Sequence, residues 1–364
     1  MSWLLVFLGL CLLIVLHEAG HFFAAKATGM RVERFFLFFG PTIWSVKRGE
    51  TEYGVKAIPL GGYVKISGMN PEEELPPEVA HRAYYRQPVW KRIVVISAGP
   101  GVNIVLALVI LFFVALTSAT KVDQRVEEVV PKTPAQGTLK PGDRILSVDG
   151  KAFPKLEPEE RVERFHDEIG THRCQGKQVD GCRARTPAVL KIERDGHVRT
   201  LTVRPEYKAE AGQTLVGFSF GSEPVDISAG EAVDRSTGLA WLITHETVTR
   251  FARIFNAKER EEISGVVGVS DVGHQTVDMG AAAALSFLAL ISLSLGLINL
   301  FPFLPLDGGH IFWSLVEKLR GGRQVSLATM ERASIVGIVL VVMLAAIGLS
   351  NDIGRLTGEG FNVR

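Results

Sequence analysis

Two histidines and a glutamate, His17, Glu18 and His21, stand in the stretch LLIVLHEAGHFFAAK, which is otherwise apolar until Lys26. On a helix, residues i and i+4 share a face, so the two imidazoles can bind one metal ion together. Glu18, one step on, is placed to take a proton from a water on that ion. An ionisable group near the centre of a membrane helix costs at least ~2.5 kcal/mol on insertion scales. Three such groups in five positions therefore call for a use. A catalytic zinc ion takes three protein ligands and keeps one position open, so a third polar residue at similar depth is expected. Asp307, in GLINLFPFLPLDGGHIF, is the one acid between Asp278 and Glu317. Pro302 and Pro305 interrupt the helix ahead of it, and Gly308 and Gly309 let the chain turn sharply. His310 is a rival ligand in the same turn. Asp271 and His274 belong to the far side, and His245 with Glu246, lacking a ligand at i+4, reads as a surface pair.

The elements that must position these groups are apolar. Mean hydropathy is +0.21 and 47% of residues are hydrophobic, and four segments hold the excess: Trp3–Ala27, Ile93–Leu116, Ala281–Leu306 and the shorter Ser334–Leu349. A span needs about 20 apolar residues, so a four-span membrane protein is expected. The first segment lacks a basic leader and a small-residue cleavage site, which argues against a secretory signal. The stretch Lys26–Arg92 carries eleven Lys and Arg residues, and Lys318, Arg320, Arg323 and Arg332 precede the last span. The chain ends carry only Arg355 and Arg364 within seventeen residues of either terminus. Both basic loops are thus expected in the cytoplasm and both termini outside. A net charge of +1 with no basic-aromatic stripe gives no reason to expect a nucleic-acid partner.

Between the spans the pattern changes. Thr42–Val46 and Tyr53–Ile58 read as a hairpin turning over Lys47–Thr51, punctuated by Pro41, Pro59, Gly61 and Gly62, with Phe35, Phe36, Phe38 and Phe39 placing its base in or against the membrane. Its edge is available to an extended peptide. Residues 70–80 read as an acidic surface loop. AGPGVN, Ala98 to Asn103, suggests close helix packing in the second span. Short β runs follow (RVEEVV, RILSVDG, AVLKIERDG, RTLTVRP). Cys174 and Cys182, on the expected outer side, can close a disulfide or remain free thiols. Residues 229–263 read as an amphipathic helix on the outer membrane surface, with Leu239, Leu242, Ile243, Val248, Phe251, Ile254 and Phe255 recurring every three or four positions.

TPAQGTLKPGDRILSVDGK, with Gly142–Ile145 and the Asp149-Gly150 turn, resembles the bacterial, circularly permuted PDZ family over roughly 121–205. That resemblance implies capture of peptides or carboxyl termini, or a gating role. The HExxH of the first span, the PDZ-like module and the late Asn299…Pro302…Leu306-Asp307-Gly308 together resemble the site-2 protease family, intramembrane zinc proteases, along nearly the whole chain. The resemblance implies that His17, His21 and Asp307 ligate zinc and that Glu18 is the general base. It implies that Asn299, with Pro302 and Gly62, contacts substrate. Phe39-Gly40-Pro41 and Ile58–Tyr63 match the family's membrane-associated hairpin, and Gly99-Pro100 with Asn103 its second-span motif. One departure is that Leu304 stands where relatives often carry proline, with Pro305 next to it.

The expected fold is thus a polytopic α-helical membrane protein with a membrane-associated β-hairpin and an inserted extracytoplasmic PDZ domain. Its expected parts are a membrane core at 1–120, the PDZ domain at 121–222, an amphipathic helical region at 223–280 and a second membrane core at 281–364. The implied activity is cleavage of single-span membrane proteins, such as anti-sigma factors and remnant signal peptides, in a bacterial inner membrane. The rival readings are a membrane-anchored zinc protease acting on soluble or misfolded chains, and an inactive PDZ scaffold. The second would not need Glu18.

Overall fold

The computed structural model describes residues 2–70, 72–209, 211–253, 256, 263–323 and 325–357. In chain order the elements are α1 (Ser2–Ala27), β1 (Val32–Arg48), β2 (Thr51–Ile66), the one-turn α2 (Pro77–Ala80) and α3 (Val89–Ser118). Then come β3 (Thr120–Val129), β4 (Arg144–Val148), α4 (Pro158–Gly170), β5 (Ala188–Arg194), β6 (His197–Val203), β7 (Glu206–Lys208), β8 (Gln213–Leu215) and β9 (Phe218–Pro224). The chain closes with α5 (Ala229–Ala252), α6 (Val266–Met279), α7 (Ala281–Asn299), α8 (Asp307–Leu319) and α9 (Leu327–Thr357). Two compact units result, 1–116 together with 228–364, and Thr117–Ile227.

Among the described residues of the first unit, α1, α3, α7 and α9 are long and apolar enough to cross a membrane. Their outward faces expose large apolar side chains, for example Trp3, Leu4 and Leu8 on α1 and Ile335, Val336 and Val339 on α9, as lipid-facing helices do. α1 runs without a break because no proline falls between Ser2 and Ala27. It stops where Gly29 takes φ +84° and the Met30 amide donates to Ala25 O, a glycine C-cap. α3 carries Pro100 in its interior, which removes the amide that would bond the Ile96 carbonyl. The surrounding small residues let neighbours close in: a side chain at Gly20 of α1 would collide with Ala98 O, and one at Gly296 of α7 would press on Pro100 O. Ser292 Oγ donates to Asn103 O at 2.8 Å, tying α7 to α3 a turn further along.

Three sequence expectations change here. The third apolar segment does not continue to Leu306: α7 ends at Asn299, and α8 begins at Asp307 after an irregular stretch. The last span is longer than its apolar centre, running Leu327–Thr357, because charged and polar residues at its ends still favour helix. The 229–263 helix ends at Ala252, and it does not lie alone on a surface. Ala240 is buried with Ala107 and Leu111 of α3 and Ala289 and Leu293 of α7, and Ile243 packs on the same cluster. Small residues at the contact permit this approach, while Leu239, Leu242 and Val248 stay exposed. Ile254 and Phe255 lie outside the described residues, as does Arg364. Residues 266–279, left unassigned by periodicity, form α6. Its first turn is capped from α9, where the buried Asp352 carboxylate accepts from Gly265 N at 3.0 Å and Gly268 N at 2.9 Å.

The hairpin is larger than its β-favouring runs, and it folds back on itself. Phe35 stands opposite both Val64 and Tyr53, and Leu37 opposite both Gly62 and Val55, while Trp44 also stands opposite Val55. The lateral order is therefore 62–66, 32–37, 52–55, 42–48. Prolines and glycines at 40, 41, 59, 61 and 62 do not end the strands; they sit where the pairing is irregular and lets the ribbon double over. The segment 39–48 is exposed, with Phe39, Ile43, Trp44 and Val46 on its surface.

In the unit Thr117–Ile227 the sheet order is β6-β5-β4-β3-β9. β5 alternates buried Ala188, Leu190 and Ile192 with exposed residues, the period of a half-buried strand. Helix α4 lays Phe165 and Ile169 over Ile145 and Val148. Cys174 and Cys182 form a disulfide across a Cα–Cα distance of 6.1 Å.

A charged network at the end of α1 fixes the sheet against it. Glu50, in the tight turn between β1 and β2, accepts from Arg82 Nη1 at 2.7 Å and Arg82 Nη2 at 2.9 Å, and from Lys26 Nζ at 2.6 Å. Arg82 hydrogen-bonds hold the Glu50 carboxyl at about 2, with Lys26 adding to them against the cost of burial. Its folded value is depressed, so its stabilisation is complete above the unfolded carboxyl value of about 4.3 and fades as pH falls towards 2. Comparing thermal melts of wild type and Glu50→Gln from pH 7 to pH 2.5 checks this. The wild-type advantage is expected to hold constant to about pH 4.5 and to shrink below it.

Candidate metal centre

Helix α1 turns His17 and His21 to one face, where both are buried at 8% and 7% exposure. Asp307 reaches the same point from the first turn of α8. His17 Nε2 and His21 Nε2 each lie 3.2 Å from Asp307 Oδ2 and 3.3 Å from one another. Donors on a tetrahedral zinc ion, with bonds of about 2.0–2.1 Å, stand about 3.3–3.4 Å apart. The three atoms thus match the spacing of one face of such a tetrahedron.

The hydrogen-bond accounting points the same way. His21 Nδ1 lies 2.9 Å from Val95 O, and a carbonyl only accepts, so Nδ1 carries the proton. When the ring is neutral, that tautomer turns the Nε2 lone pair towards the Asp307 carboxylate. Asp307 Oδ2 faces the two imidazole Nε2 atoms and has no other polar partner among the described residues. Lone pairs of three buried groups pressed together repel unless a cation lies between them. Gly99 makes room for this arrangement, since a Cβ there would overlap His21 Nε2 and its ring carbons.

A cavity of about 280 Å³ opens on the three groups, lined also by Glu18, Gly62, Tyr63, Ile96, Asn299 and His310. Glu18, adjacent to His17, faces the same space and lies within reach of the Val64 backbone amide. Gly62 brings the sheet against α1: a Cβ there would stand 3.0 Å from Glu18 Cγ and 3.2 Å from Phe36 O. Asn299, the last residue of α7, lines the cavity and donates from Nδ2 to Leu295 O at 3.0 Å.

Two candidates stand apart from the converging donors. His310 lines the cavity, but its ring is not among the converging donors. It follows Asp307 by three residues in α8 and is carried round to the cavity wall. Pro302 is exposed and takes no part in the lining; Pro305 does instead. The irregular stretch ahead of α8 turns between them, with the Leu306 amide bonded to Phe303 O and the Gly309 amide to Leu306 O. The one-residue displacement of proline noted in the sequence therefore falls on the cavity wall, where Pro305 stands, with Leu304 buried behind it. Three contributors escaped the sequence reading: Val95 as acceptor, Ile96 as lining, and the pair Arg92–Glu317 below. A buried main-chain acceptor has no side-chain signature. The arginine and glutamate were visible only as isolated charges at helix ends.

The chain's relatives agree with this chemistry. The pattern of peptidase family M50 matches residues 5–344. Zinc metalloprotease Rip1 of Mycobacterium tuberculosis is 31% identical over 380 residues, covering 94% of this chain and 93% of its own. Zinc metalloprotease Rip1 of Mycolicibacterium smegmatis is 33% identical over 343 residues, covering 84% and 83%. Regulator of sigma-E protease RseP of Salmonella typhimurium is 28% identical over 442 residues, covering 96% and 97%.

Gly99→Ala is expected to strip the purified protein of most bound metal, measured as ions per chain. Gly101→Ala, where a Cβ meets open space, is expected to keep it. Alanine favours a helix over glycine by about 1 kcal/mol, so a loss at Gly99 would report displacement of His21 and not a weaker helix.

Proposed function

This chain belongs to peptidase family M50 and is a zinc metalloprotease; we propose that it hydrolyses peptide bonds within or near the membrane-spanning segments of single-span membrane proteins. The observation that supports this reading is where the metal-binding face lies. His17 stands nine residues from Lys26 on an uninterrupted apolar helix, about 14 Å along its axis at 1.5 Å per residue. With a hydrocarbon core about 30 Å thick, that depth suits a substrate bond that is itself in or beside the bilayer.

In this reading His17, His21 and Asp307 hold the zinc ion, and Glu18 is the general base. Bound zinc would supply Lewis acidity and lower the pKa of a coordinated water towards 7. Glu18 takes the proton of the attacking water and returns it to the departing amine. The buried Val95 carbonyl keeps His21 in the ligating tautomer throughout. A helical substrate hides its amides in its own hydrogen bonds, so it must unwind before it can react. Segment 62–66 pairs only with 32–37 among the described residues, which leaves its other edge open to an extended strand beside Glu18. In this reading Asn299, at the end of α7, bonds a freed substrate carbonyl in exchange for its bond to Leu295 O.

The proposed home is a bacterial inner membrane, with both termini and the unit Thr117–Ile227 outside the cytoplasm. That unit is proposed to be a PDZ domain that binds peptides or carboxyl termini, or restricts entry. A relative named as a regulator of sigma-E protease makes membrane-bound anti-sigma factors one substrate class to try, with remnant signal peptides a second.

Zinc content and cleavage together test the reading, using full-length protein in detergent and a tagged single-span substrate. Glu18→Gln is expected to keep about one zinc ion and to lose activity by roughly 10²–10⁴-fold. Asp307→Ala is expected to lose the metal. Cleavage by Glu18→Gln at the wild-type rate would end the assignment of the base. Preference for an unfolded soluble chain over the membrane substrate would favour a membrane-anchored protease of soluble proteins.

A further inference from the structure

The three metal-binding residues come from parts of the chain nearly three hundred positions apart, and something must set the distance between α1 and α8. Helix α3 touches both. Its buried face contains Arg92, Val95, Ile96 and Gly99, the i, i+3, i+4, i+7 spacing of one stripe. Val95 and Gly99 hold His21 from this stripe, as described above. One turn earlier, Arg92 reaches the other side of the centre. Its Nη1 donates to Glu317 Oε2 at 2.9 Å and its Nη2 to Glu317 Oε1 at 2.6 Å. Glu317 lies on α8, ten residues from Asp307 and so about 15 Å along the same rigid helix.

Arg92 is buried and Glu317 largely so, with side-chain exposures of 7% and 13%, and the guanidinium sits over the Tyr84 ring, 5.9 Å from its centroid. We propose that the Arg92–Glu317 pair is a positioning device for the metal centre, fixing where α8 places Asp307 relative to His17 and His21. Fold stability alone gives little reason for such a pair, since a buried ion pair is often no more stabilising than well-packed apolar residues. A bidentate fork does something apolar contacts do not: it fixes both separation and rotation of the two helices. The contacts near the start of α8 leave that freedom in place. Gly308 and Gly309 pack against the backbone of residues 300–304 immediately before the helix, and Ile311 rests on the apolar cluster around Val95 and Ile96. None of them bonds α8 to α3 near its far end.

The proposal rests on Asp307 being a metal ligand, and the test separates the two claims. Full-length wild type, Arg92→Lys, the paired Arg92→Met/Glu317→Leu, the exchanged Arg92→Glu/Glu317→Arg and Asp307→Ala are purified in detergent. For each, zinc affinity is measured by competition with a chromogenic chelator. The visible spectrum of the cobalt-loaded protein and the melting temperature are recorded alongside. Arg92→Lys keeps the charge but not the fork, and is expected to weaken zinc binding at least tenfold and shift the cobalt bands. The apolar pair is expected to show the same loss even where its melting temperature matches wild type, and the exchanged pair to recover part of it. Wild-type affinity and spectrum in Arg92→Lys or in the folded apolar pair would overturn the positioning role. If Asp307→Ala has meanwhile lost zinc, the ligand assignment survives that result. If Asp307→Ala binds zinc as wild type does, the ligand assignment itself fails.

Discussion

One hydrogen bond between a histidine ring and a helix carbonyl, His21 Nδ1 to Val95 O at 2.9 Å, governs much of what surrounds it. It decides which nitrogen of the ring is free, and it sets the ring's plane in a place where water cannot compensate for an error. The bond requires α1 and α3 to lie closer than most side chains permit. Gly20, Ala98 and Gly99 answer that requirement, and Pro100 breaks the regular run of amides just beyond it. Gly20 and Gly99 therefore share one physical cause, the need to bring a main-chain acceptor against a buried imidazole.

A second constraint follows from polar backbone at membrane depth. The stretch between Asn299 and Asp307 is not helical, and in lipid it would leave amides and carbonyls without partners. The fold surrounds it instead. Gly308 and Gly309 press on the backbone of 300–304, and Gly337 of α9 lies so close to Leu304 O that any side chain there would overlap it. Phe251 at the end of α5 stacks on Phe301, with ring centroids 4.0 Å apart. The irregular stretch is thus lined by protein on several sides, and it can deliver a carboxylate sideways into the cavity, which a continuous helix could not.

The sheet solves a related problem. A flat two-stranded ribbon of this length would be marginal. Doubling over gives segment 32–37 partners on both sides and leaves 62–66 as an edge, with Gly62 allowing that edge to lie against Glu18. The Glu50–Lys26–Arg82 network then anchors the turn to the basic end of α1, where charge can still reach water.

The residues proposed to do the chemistry were legible from local pattern, because their types are costly in an apolar helix and their spacing is set by helix geometry. His17, Glu18 and His21 declare themselves in five positions, and Asp307 stands out as the one acid in a long apolar stretch. The four spans are legible for the same reason, as is the alternation in β5. The break after Asn299, the doubled sheet, helix α6 and the docking of α5 on α3 and α7 were not. Each depends on partners distant in sequence: a glycine that matters because of the carbonyl it meets, a ribbon that pairs twice, a helix capped by Asp352 from another span. The sequence by itself determined which groups stand as candidates to bind and activate. Only the tertiary structure decided that Asp307, and not His310, turns inward, because which side of α8 faces the histidines is set by how that helix packs on α3 and on the preceding chain.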